Sequence, residues 1–145
     1  MTLVTASIDI DAPRERVYDL VLDPSRLGDW VTIHERFEDA PERLEQGSTM
    51  TQRLKVAGQG FTVRWTVTED QRPSRVTWEG NGPARTSARV VYDLDGRDGG
   101  THFSYLNEYE LPGGAAGRIA GRAVSAAAGR EVEHSLDRLK KLLEG

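Results

Sequence analysis

The chain is 145 residues long, has no cysteine, and carries 19 Lys and Arg against 23 Asp and Glu, a formal net charge of −4. That length fits a single domain, residues 1–145, able to bury roughly 70% of its unfolded surface. The missing thiols exclude disulfides, thiolate nucleophiles and thiolate metal sites, and the acidic balance argues against nucleic acid or an anionic membrane as partner, since both select clustered Lys and Arg.

Residues 3–10 read as a strand, with Leu3, Ile8 and Ile10 among its β-formers. Asp11-Ala12-Pro13 signals a helix start, an acid to cap it and a proline in its first turn. Val17, Leu20 and Val21 give one apolar face to a short helix. Asp23-Pro24 repeats the signal and opens a second short helix running to about Trp30. The period then changes. Residues 33–39 and 48–57 are weak strands on either side of a polar loop. Phe61, Val63, Trp65 and Val67 alternate with polar residues, as do Val76 and Trp78, then Ala88, Val90, Tyr92 and Leu94, then Phe103, Tyr105, Asn107 and Tyr109. Such alternation marks strands with one apolar face. Turn signals at Gly58-Gln59-Gly60, Arg72-Pro73-Ser74, Gly80-Asn81-Gly82-Pro83 and residues 95–100 separate them, and connections this short join antiparallel neighbours.

Past Pro112-Gly113-Gly114 the chain reads as one helix of two halves. The first holds Gly117, Ala120, Gly121, Ala123, Ala126, Ala127, Ala128 and Gly129; the second holds Val132, Leu136, Leu139, Leu142 and Leu143. Laid across a twisted sheet, such a helix seals one end and leaves room at the other. Arg138, Lys140 and Lys141, the nearest approach to a basic run, fall in its last turns, where cations complement the helix dipole. No apolar run reaches membrane-spanning length, and MTLVTASIDID lacks the basic start and apolar core of a signal peptide. No integral membrane segment and a cytoplasmic location are expected.

This order of elements resembles the START-like or SRPBCC superfamily and its α+β helix-grip fold. That fold wraps a curved antiparallel sheet of six or seven strands around a long C-terminal helix, with two short helices after the first strand. The residues carrying the likeness are Ile8 to Pro13 followed by Val17 and Leu20, then Asp23, Trp30, Gly47, Pro73 to Val76 leading into Trp78, and Tyr109 to Gly114. Within the superfamily the chain looks most like polyketide cyclase/dehydrase-type and coenzyme-Q-binding-type proteins. The resemblance implies binding of lipids, quinones or polyketides, with catalysis in some members and carrier or interaction roles in others.

Sharper motifs do not hold up. Gly113-Gly114-x-x-Gly117 is not G-x-G-x-x-G and lies outside any βαβ unit. Gly117-x-x-x-Gly121 has the spacing of membrane helix pairs, but Arg118 and Arg122 flank it. Glu131-x-x-His134 is half of a carboxylate-bridged di-iron motif whose other half is missing, and His34 and His102 lie on other elements, so no metal site and no cofactor is expected. There is no G-x-S-x-G elbow, and Ser125 sits among alanines.

The aromatic strand face is more informative. A cavity floored by Trp65, Trp78, Tyr92, Phe103, Tyr105 and Tyr109 is expected, roofed by Ala120, Ala123 and Ala127, with Trp30 near its mouth as gate or plug. Asn107 and Gln52 share the apolar parity of their strands, and a buried amide needs a partner. They would orient a ligand. The expected function is binding of a small hydrophobic or aromatic molecule, by a monomer or a homodimer. A cyclase or dehydratase would instead use Tyr105, Tyr109, or Glu108 if its register turns it inward, as an acid or base. An interaction module would have a filled interior and a large exposed apolar patch.

Overall fold

The computed structural model describes residues 2–82, 86–110 and 115–145, with the side chains of the final helix described from Ala126 onward. Seven strands run in the order β1 (Thr2–Ile10), β2 (His34–Asp39), β3 (Thr49–Val56), β4 (Gln59–Gln71), β5 (Arg75–Asn81), β6 (Ser87–Arg97) and β7 (Gly100–Glu110). They form one antiparallel sheet ordered β1-β7-β6-β5-β4-β3-β2. Two of the hairpins close through two-residue loops, Ala57-Gly58 and Asp98-Gly99, with φ of 51° and 77°, and 52° and 82°. Positive φ at both positions matches the right-handed twist of the strands they join. Gly80 and Asn81, read above as turn residues, belong to β5; the sheet face there needs a residue without a side chain.

Between β1 and β2 lie α1 (Arg14–Val21), a 3₁₀ turn at Pro24–Arg26, and α2 (Leu27–Trp30). Asp23 caps the turn, its Oδ1 accepting from the Ser25 backbone N–H at 3.0 Å. The first helix departs from expectation. Pro13 holds its N-cap position and no side chain caps it, while the Asp11 backbone N–H donates to Glu144 Oε2 at 2.9 Å. Val17, Tyr18 and Val21 are its buried residues.

The last helix, α3 (Ala115–Glu144), packs along β1 and α2. Leu136, Leu139 and Leu143 are buried on one stripe, while Leu142, grouped with them from sequence, is 37% exposed. Its C-terminal end is tied to the sheet by Lys140, whose Nζ donates to the Asp9 carbonyl and to Glu144 Oε2, each at 2.6 Å. Lys140 is therefore a structural clamp as well as a favourable end charge. Residues 111–114 and the side chains of Ala120 and Ala123 lie outside the described residues.

The buried apolar side chains fall into two clusters. The larger joins Ile10, Val17, Val21, Trp30, Phe103 and Leu139 with the sheet centre. The smaller is Val4, Val56, Tyr109, Ala127 and Ala128.

Candidate functional site

Strand parity decides which side chains meet. One row across the sheet, read through the strand register, is Tyr109, Ala88, Gly80, Trp65 and Met50. The next is Val4, Asn107, Val90, Trp78 and Val67. Both face α3. Between them and the helix is a cavity of about 140 Å³, the size of an apolar void that takes up a benzene ring. Its wall draws on both core clusters, and Ala128, Glu131, Val132, Ser135 and Leu136 supply the helix side.

Of the residues expected from sequence, Trp30, Gln52, Trp65, Trp78, Tyr92, Tyr105, Asn107 and Tyr109 all line this space. Phe103 does not. It is fully buried in the larger cluster, edge-on to Trp30 at 6.4 Å and 5.3 Å from the Tyr92 ring, so it packs the closed end. Ala127 is buried beside the wall without lining it; its neighbour Ala128 takes that place, one residue being about 100° of helix turn. Glu108 lies on the parity of Ser104 and Leu106, away from α3, and is not a cavity group. Trp30 is only 1% exposed, and its ring packs on Tyr92 and Phe103.

Two features went unread in the sequence. The first is that room comes from the sheet as well as the helix. A Cβ at Gly80 would lie 2.6 Å from Val63 Cγ1 and 2.7 Å from Trp65 Cε3. Glycine at this point lets the Trp65 ring lie flat across β5. The second is polar. Glu131 and Ser135 sit at i and i+4 on the same helix face as Val132 and Leu136, and that interruption of an apolar stripe was the available signal. His134, their exposed neighbour, faces solvent.

Both polar atoms of the Gln52 amide are engaged. Trp65 Nε1 donates to its Oε1 at 2.9 Å, and its Nε2 lies 2.8 Å from His34 Nδ1. An indole N–H only donates, so the amide oxygen must face it and the amide nitrogen must face the histidine. His34 Nδ1 therefore accepts, which requires a neutral ring with its proton on Nε2. Burial favours the same state, holding the imidazole below its ordinary value of 6.5.

Other polar tips of the wall are unmatched. Trp30 Nε1, Trp78 Nε1, Asn107 Oδ1 and the Tyr109 hydroxyl are buried with no hydrogen-bond partner among the described residues. Burial pushes the Tyr105 phenol up to about 12, opposed by a hydrogen bond from Asn107, and burial and then Tyr105 raise Tyr92 well above 10. Both hold their protons at neutral pH. Among the described residues no group of three or more His, Asp or Glu is placed to hold a metal, and no helix is long and apolar enough to cross a membrane. The interior keeps a void, and the large apolar side chains exposed among the described residues are Leu3 and Leu142. That is not the pattern of an interaction module with a filled core.

Comparison with known proteins agrees with this architecture. The chain is 25% identical to the toxin Rv0910 of Mycobacterium tuberculosis over 146 residues, covering all of both chains. The structure of CV1439 from Chromobacterium violaceum superposes with a TM-score of 0.77 at 18% identity, covering 100% of this chain and 99% of that one. DynU16, a protein in the dynemicin biosynthetic locus, superposes at 0.66 with 18% identity, covering 98% of this chain and 47% of its own. Residues 1–144 match the polyketide cyclase/dehydrase and lipid transport family. The chain belongs to that family and has its helix-grip, START-like fold.

Proposed function

We propose that the protein binds a small, ring-bearing apolar molecule in the cavity between the sheet and α3. The observation that carries this reading is the wall itself: aromatic side chains of four strands and of α2 surround a void, with few polar groups among them. Such a space is where an apolar ligand gains most from leaving water. The family description, cyclase/dehydrase and lipid transport, covers both chemistry and carriage. Two phenols of the wall, Tyr92 and Tyr105, favour carriage. With their pKa values raised they keep their protons and are poor acids. Trp65, Trp78, Tyr92 and Tyr105 would hold the ligand's faces, and Asn107, Tyr109 and Trp30 its polar edge.

Native mass spectrometry of the purified chain, with thermal melts against quinones, fatty acids and aromatic polyketides, tests this. A bound species, or a ligand raising the melting temperature, is expected; at a hundred times its dissociation constant a ligand adds about 2.7 kcal/mol. No retained molecule and no shift across the panel would sink the reading.

A further inference from the structure

Among the described residues, one charged side chain lines the cavity: Glu131. Its Oε2 accepts the Thr32 hydroxyl hydrogen. That hydroxyl has a single hydrogen, so in the 3.2 Å contact between the two hydroxyls Ser135 is the donor and Thr32 Oγ1 the acceptor. Ser135 Oγ in turn accepts the Thr32 backbone N–H at 3.0 Å. The three residues form a directed chain joining the segment after α2 to α3. It fixes the carboxylate with one oxygen engaged. The other, Oε1, has no partner among the described residues.

We propose that Glu131 sets the ligand's polarity: it accepts a hydroxyl hydrogen from a neutral ring-bearing molecule and turns carboxylates away. This rests on the cavity being a ligand site. A carboxylate oxygen only accepts, so its complement is a donor. A hydroxyl meeting it makes a charge-assisted bond. A second carboxylate would be repelled there, and a quinone or plain hydrocarbon offers Oε1 nothing. An ammonium would be attracted, but the apolar wall disfavours bringing it out of water. Asn107 Oδ1 is a second acceptor on the wall without a donor among the described residues. The indole N–H groups of Trp30 and Trp78 need acceptors, and a hydroxyl oxygen serves there too.

Ligand-observed NMR of the full chain with phenol, benzoate and benzene, repeated on Glu131→Gln, is the test. Glutamine still accepts from Thr32, so the chain of hydrogen bonds to Ser135 is kept. The wild type should bind phenol over benzoate by a factor on the order of ten or more. Glu131→Gln should shrink that ratio. Equal binding of phenol and benzoate by the wild type, or an unchanged ratio in the variant, overturns the role of Glu131 and leaves the cavity reading standing. If none of the three binds, both readings fall together.

Discussion

The two ends of the space between sheet and helix are built from the same strands and the same helix, yet one is solid and the other hollow. At the solid end Leu139, Phe103, Val17 and Val21 are at most 1% exposed and belong to one cluster. At the hollow end the facing positions are Gly80 and Ala88 on the sheet and Ala128 on the helix. Backbone architecture therefore does not decide whether a helix-grip domain has a cavity. Side-chain volume at a few inward positions does, and it leaves stability and binding carried by different residues.

Substitutions at the two ends test that division. Leu139→Ala removes a fully buried side chain from the solid end and should cost about 2–5 kcal/mol in a denaturant titration. Val132→Ala, beside the void, should cost no more than about half of that, because the methyl groups it removes already border empty space. Equal losses would mean that both ends are packed alike. A smaller effect than that of Leu139→Ala is expected from Gly80→Ala. Its Cβ cannot fit without moving Val63 or the Trp65 ring, so stability should fall by about 1–3 kcal/mol and ring-ligand uptake should fall with it. Uptake unchanged in Gly80→Ala would show that Trp65 is not placed by this glycine.

The smallest effect is a pH dependence at the wall. Burial holds His34 below 6.5, and Gln52 donates to its Nδ1. As pH falls through 6.5 the unfolded chain takes up a proton that the folded chain resists. The contribution of the Trp65–Gln52–His34 chain is therefore complete above that value and lost below it. Urea midpoints should drop between about pH 7.5 and pH 5.5, and His34→Gln should flatten the drop. An unaltered slope in the variant would assign the dependence to other groups.

Much of this was legible in the sequence, because alternation in long strands reports directly on which face is buried. The run from Phe61 to Val67 and the run from Phe103 to Tyr109 named eight residues of their strands' inner face from parity alone. Gly80 was misread because glycine marks a turn and a close approach alike, and only the neighbouring strand, with Trp65 across from it, separates the two. Phe103 has the right parity and the wrong end of the sheet, a distinction that depends on where the helix closes down. Glu131 was weighed only as a metal ligand beside His134, a surface residue; its significance lies in the Thr32 and Ser135 it meets, and Thr32 is remote in the chain.

The chain contains three tryptophans, and Trp30, Trp65 and Trp78 all stand in the cavity wall. Tryptophan emission, excited selectively over tyrosine, therefore originates at the wall of the space the proposed ligand would fill. A molecule taking up that space would alter the surroundings of all three indoles at once, while events on the outer face of the sheet would pass almost unseen. The fold thus carries its own optical gauge of occupancy, calibrated by the unmodified sequence.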